Sequence, residues 1–169
     1  MTLRVRAGEL ADVPLIAELI RGLAVYEKLE SQVTMTEEKL TDSLFGERRY
    51  AETLIAEDDG APVGFALFFH NFSTFLAQPG IYLEDLFVLP EHRGRGIGKT
   101  LLADLARIAV ERGCGRLEWA VLDWNRDAIG FYERLGAKPN SEWTVYRLTG
   151  ESLHALAQPG ARRAQFKRE

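Results

Sequence analysis

Between Ile81 and Ala109 the chain passes from strand to loop to helix, and no other stretch limits the fold so strongly. An apolar run from Ile81, carrying Glu84 and Asp85 ahead of Leu86, Phe87 and Val88, reads as a strand. Pro90 turns it into a basic loop with Arg93, Gly94, Arg95, Gly96, Gly98 and Lys99. Ile97, Leu101, Leu102, Leu105, Ile108 and Ala109 then recur at helical spacing. A strand, a glycine loop and a helix N-terminus make an anion site. The glycines let the backbone approach, the first-turn N–H groups have no partner inside the helix, and the helix dipole adds partial positive charge. Arg93 and Arg95 add full charges. The stretch reads as a pyrophosphate cradle.

Two common phosphate motifs do not fit. Gly98, Lys99 and Thr100 look like the end of a Walker A loop, but that pattern needs a glycine where Arg93 stands. This disfavours a nucleotide-dependent kinase or GTPase. Gly94, Gly96 and Gly98 are spaced G-x-G-x-G, whereas a dinucleotide fingerprint needs G-x-G-x-x-G. What fits is R-x-x-G-x-G, from Arg93 to Gly98.

The basic loop is a local feature on a mildly acidic chain. The formal net charge is −4 over 169 residues, which does not favour nucleic-acid binding. One cysteine, Cys114, rules out an internal disulfide and fits a reducing, cytoplasmic setting. It lies between Gly113 and Gly115 with no candidate base nearby in sequence, so packing is its expected role. His70, His92 and His154 lack metal-ligand spacing, and no metal is expected. No apolar run approaches transmembrane length, so no membrane partner is expected.

In chain order, Leu3–Arg6 alternates as a strand. Asp12 then caps a helix with Pro14 in its first turn. Leu15, Ile16, Leu19, Ile20, Leu23 and Tyr26 form its apolar stripe. A short helix starts at Thr34 or Thr36, and Gly46 ends it. Thr53–Glu57 and Val63–Phe69 read as a hairpin about Asp58, Asp59 and Gly60. Residues 71–80 read as a longer loop with Phe72 and Phe75. After the central helix, closed by Gly113, come a strand from Arg116 to Leu122, a helix from Asn125 to Leu135, and a last strand from Trp143 to Leu148. The charged tail, residues 161–169, is expected to fray. The pattern predicts one α/β domain over residues 1–169, with a mixed, mostly antiparallel sheet flanked by helices.

Several pieces together resemble the GNAT superfamily of N-acetyltransferases: Tyr82, Leu83, Glu84 and Asp85; the R-x-x-G-x-G loop; Asn125; and Phe131 and Tyr132 followed by Arg134, Leu135, Gly136 and Ala137. Leu23, Ala24, Tyr26 and Glu27 point to the diamine (spermidine/spermine) and thialysine N-acetyltransferase branch. The resemblance covers nearly the whole chain. It implies acetyl-CoA as co-substrate, direct acetyl transfer to a primary amine, and a homodimer whose interface includes the strand with Trp143 and Tyr146.

Such a transfer has physical requirements. An alkyl ammonium has a pKa near ~10.4, so at pH 7 only about one molecule in ~2500 is neutral, a deficit of roughly 4.6 kcal/mol. A base must carry the proton away, and Glu84, in an otherwise apolar strand where burial would raise its pKa, is the candidate. An ion pair or an anchor for the acceptor's charge is its alternative role. By period two, Glu84 and Asp85 face opposite ways, so only one is expected to face the substrate, and the family resemblance chooses Glu84. Tyr132 is the candidate acid for the departing thiolate, since a phenol stays protonated at neutral pH; a core tyrosine is the alternative.

The resemblance implies the remaining roles. The backbone N–H of Leu86 would polarise the thioester carbonyl, and Leu86, Phe87 and Val88 would pair with the pantetheine arm. Arg93, Gly94, Arg95, Gly96, Ile97, Gly98 and Lys99 would hold the pyrophosphate, with Asn125, Arg126, Asp127, Ala128, Tyr132 and Arg134 completing the coenzyme contacts. Tyr26, Glu27, Glu84, Glu118, Trp119 and Glu142 match acceptor contacts. The loop from Asn71 to Phe75 lacks the aspartate that similar polyamine enzymes carry there, which leaves a smaller lysine-like or thialysine-like acceptor open. The alternative function is a non-catalytic or regulatory coenzyme A-binding module.

Overall fold

In the computed structural model, residues 2–158 are described; the charged tail at residues 161–169 lies outside them. The chain forms two compact units, Met1–Asn125 and Arg126–Glu169.

The first unit is a five-stranded sheet of β1 (Leu3–Ala7), β2 (Glu52–Asp58), β3 (Ala61–Ser73), β4 (Gln78–Val88) and β5 (Leu117–Trp119), in that spatial order. β1 to β4 pair antiparallel, and β5 joins β4 in parallel. The sheet is thus mixed and mostly antiparallel, as the sequence predicts. Asp59 and Gly60, with φ of 50° and 83°, turn β2 into β3 in the left-handed geometry that a two-residue hairpin needs.

Helices α1 (Val13–Glu27), α2 (Glu37–Phe45) and α3 (Ile97–Glu111) belong to the same unit. Ile16, Ala17 and Leu19 of α1 are sealed against Leu40 and Leu44 of α2 and against Ile55, Phe65 and Phe87 of the sheet. Asp12 sits at the N-cap of α1, but its carboxylate is taken by Arg6 and by the Glu9 N–H rather than by the helix. Thr36, not Thr34, caps α2, its hydroxyl accepting from the Lys39 N–H.

Gly22 decides how closely α1 meets β4. A Cβ there would stand 2.9 Å from Cε1 of Phe87, so the missing side chain lets the helix settle onto that ring. This contact sets the C-terminal end of α1, with Tyr26 and Glu27, over the second half of β4.

Three expectations need correction. Residues 71–80 are not a long loop: β3 and β4 stay paired to Ser73 and Gln78, leaving only a four-residue turn. Cross-strand pairing carries the ladder past the point where local composition suggests a loop. β5 is shorter than Arg116–Leu122, because only Leu117, Glu118 and Trp119 find partners on β4.

The second unit contains α4 (Arg126–Arg134) and α5 (Gly150–Leu156). Here Trp143–Leu148 forms no strand. Its β-favouring composition describes a surface that fits a sheet, and a strand exists only where a neighbour supplies hydrogen bonds. Trp143, Val145 and Tyr146 are highly exposed.

Candidate active site

β4 has two partners over its first half and one over its second. Ile81, Tyr82 and Leu83 pair with β5, while pairing with β3 continues to Val88. Among the described residues no strand covers the β5 side of Glu84 to Val88. That edge includes Leu86, Phe87 and Val88, and an unpaired edge is a template for an extended ligand.

The loop after β4 ends in a helix start of the expected kind. Pro90–His92 makes a single 3-10 turn, and Gly94 and Gly96 follow with φ of 75° and 83°. Gly96 is the N-cap of α3 and offers no side chain to the first turn. The first intrahelical bond runs from the Thr100 N–H to the Gly96 carbonyl, so the amides of Ile97, Gly98 and Lys99 precede the ladder. A Cβ at Gly94 or Gly96 would meet nothing within 4 Å. The loop therefore fits a phosphate-bearing group approached by backbone.

The two arginines of the loop are engaged within the protein. Nε of Arg93 donates to the Val88 carbonyl at 2.9 Å, and its guanidinium lies 4.4 Å from the Tyr26 ring centroid and 5.4 Å from that of Phe87. Arg95 reaches back to the end of β2, 2.6 Å from Oδ2 of the buried Asp58, and its other terminal nitrogen is 3.0 Å from Nδ1 of His92. Lys99 is exposed in the first turn of α3.

The carboxylates are arranged differently from the period-two expectation. Leu67 opposes Asp85 and Phe68 opposes Leu83, which leaves Glu84 as an extra residue in a β-bulge. The bulge breaks the alternation. Glu84 is exposed, and it is Asp85 that is half-buried. Desolvation, reinforced by the charges of Glu84 and Glu27, pushes Asp85 up to about 6. Burial also raises Glu27 above the ordinary carboxylate range. The negative charges of Glu84 and Glu27 thus help to keep a proton on Asp85. Asp85 is a functional candidate that sequence reasoning passed over in favour of Glu84; the signal for it was a carboxylate pair in an apolar strand.

Beside them, the Tyr26 hydroxyl donates to Oδ1 of the buried Asn125 at 3.2 Å. The Tyr26 ring lies 6.2 Å from that of Trp124, over which Lys28 places its ammonium at 5.2 Å. Tyr26, Glu27, Arg93 and Asn125 therefore cluster at one end of the unit. Glu118 on β5 is held by Arg116 at 2.9 Å and by the Asn71 amide at 2.7 Å, and Trp119 is half-buried opposite Leu83. In the second unit, α4 carries Arg126, Asp127, Ala128, Tyr132 and Arg134; Tyr132 is half-buried with its ring 5.3 Å from that of Phe131. Glu142 is exposed in a turn of the same unit. Among the described residues no group of three His, Cys, Asp or Glu is placed to hold a metal ion.

A mixed sheet with a strand edge left open, running into a glycine-capped helix, defines an α/β fold that offers one edge to an extended ligand and one helix start to a phosphate. The sequence matches the model of the Acetyltransferase (GNAT) family over residues 21–137. It is 40% identical to a thialysine N-epsilon-acetyltransferase of Bos taurus, an alignment covering 90% of this chain and 96% of the relative. It is 34% identical to an L-ornithine N5-acetyltransferase of Arabidopsis thaliana, covering 90% and 87%. Among solved structures, an integron cassette protein of V. cholerae superposes with a TM-score of 0.78 at 28% identity, over 94% of this chain and 99% of the other. The chain belongs to the acetyltransferase (GNAT) family, near its thialysine and diamine acetyltransferases.

Proposed function

We propose that the protein is an acetyl-CoA-dependent N-acetyltransferase acting on the primary amine of a small cationic acceptor of lysine-like or ornithine-like size. The carrying observation is the open β4 edge after Leu83, continuous with the glycine-capped start of α3. The acceptor class is supported by the names of the relatives just described and by the absence of a carboxylate between Asn71 and Phe75, which removes an anchor for a long polycation.

Acetyl-CoA would supply the acetyl group as an activated thioester. The backbone of Leu86, Phe87 and Val88 would pair with the extended arm of the donor, and the amides from Gly94 to Lys99, with the Lys99 ammonium, would hold its phosphates. The Leu86 N–H would donate to the reacting carbonyl oxygen, a fixed dipole that costs no reorganisation. Asp85, pushed up to about 6, would take the ammonium proton at neutral pH, where its conjugate acid and base are both accessible. Glu84 and Glu27 would attract the acceptor's charge. Tyr132 is the proposed proton donor to the thiolate, on the chemistry of its phenol and the family resemblance.

Thiol release from acetyl-CoA, followed against a panel of diamino acids, polyamines and monoamines, tests the proposal. It expects kcat/KM highest for the diamino acids. Thiol release with none of these amines would overturn it.

A further inference from the structure

We infer that Arg93 is a positioning residue that ties the acceptor end of α1 to the donor loop, and is not itself a ligand of the donor's phosphates; this rests on the transferase reading above. Three observations meet at its guanidinium. Nε is committed to the last β4 carbonyl, Val88, at 2.9 Å. The planar group faces the Tyr26 ring at 4.4 Å. It also lies 5.4 Å from Phe87. Both ring distances fall within the range of a cation–π contact. Arg93 is exposed, yet one edge and one face of its guanidinium are already used.

The chain of contacts then leaves the loop. Tyr26 belongs to α1, precedes Glu27, and donates onward to Asn125. Phe87 is the ring onto which Gly22 lets α1 settle, two residues beyond Asp85. Arg93 thus joins the loop that follows β4 to the helix end that carries an acceptor carboxylate. Substituting lysine keeps the charge but loses the planar face and the fixed Nε–H, so it does not reproduce the joint. The charge that remains for phosphate is carried by Lys99 and by the helix amides.

The test uses two donors with wild type, Arg93→Ala and Arg93→Lys: acetyl-CoA, and S-acetylpantetheine, which lacks the pyrophosphate and nucleotide. Positioning predicts that both variants lose about two- to fivefold in kcat/KM for the acceptor, on the order of an exposed cation–π contact. It predicts the same factor with either donor and no rescue by lysine. A defect confined to the acetyl-CoA KM, absent with S-acetylpantetheine and restored in Arg93→Lys, would overturn it. Wild-type activity with acetyl-CoA separately reports on the transferase reading. A readout free of any substrate completes the test: urea unfolding of Arg93→Ala, Tyr26→Leu and the double variant. The joint predicts that the double variant's midpoint falls by less than the sum of the single falls; strict additivity would sink it.

Discussion

The hydroxyl of Tyr26, at the end of α1, donates to the side-chain oxygen of Asn125, 99 residues further along the chain, at 3.2 Å. Asn125 is the last residue of the first unit and is buried. A side chain of the helix proposed to serve the acceptor thereby orients an asparagine expected on the donor side. Tyr26→Phe keeps the ring beneath Arg93 and removes only this bond. Because a buried acceptor then loses a donor, the loss of stability is about 1–2 kcal/mol, read from the urea midpoint at constant m-value.

Asp85→Asn tests the half-buried carboxylate. Its folded pKa of about 6 stands above the unfolded value of ~3.9. The folded chain therefore binds this proton more tightly, and the stability it confers is fully present below about pH 4 and lost as pH rises through about 6. The full loss is roughly 3 kcal/mol. Relative to wild type, Asp85→Asn should gain stability progressively across that window and then hold the gain at higher pH. Turnover should fall by about ~10²-fold at neutral pH, the lower range for a positioned base. A stability difference that is flat from pH 4 to 7 would remove Asp85 from this role.

Gly96→Leu addresses the donor loop. With φ at 83°, a side chain at the N-cap costs about 1–2 kcal/mol of backbone strain. The Cβ itself meets open space, so the fold should survive while the rest of the side chain occupies the approach to the α3 amides. Calorimetric titration with coenzyme A should show at least a tenfold weaker Kd, about 1.4 kcal/mol. Unchanged affinity in a folded variant would place the phosphates elsewhere.

Gly22→Val asks whether the closeness of α1 to β4 matters. The added Cβ lies 2.9 Å from Phe87, so helix or ring must move, at roughly 1–3 kcal/mol. The shift carries Tyr26 and Glu27 with it. The acceptor KM should rise more than the donor KM in steady-state kinetics.

The exposed Trp143 and Tyr146 carry the expectation of a homodimer. Velocity sedimentation at micromolar concentration should give a dimer for the wild type and a monomer for the Trp143→Ser, Tyr146→Ser double variant. A monomeric wild type would end that expectation.

Much of this molecule is written locally. The apolar stripe of α1, the turn at Asp59 and Gly60, and the glycine spacing that opens α3 depend on backbone preference and periodicity over a few residues, so the sequence determined them unaided. It also determined that Glu84 and Asp85 share one strand. Which of the two is desolvated was decided by the bulge, an extra residue in β4 that exists only in the pairing of β4 with β3. The partners of Arg93 and Arg95 were decided in the same way: Tyr26 comes from α1 and Asp58 from β2, far away in the chain. So was the fate of Trp143–Leu148, whose composition suits a strand but which lacks one here. Local propensity sets what a segment is able to become; burial, ion pairing and ladder hydrogen bonds depend on which distant segment arrives beside it, and only the tertiary structure supplies that.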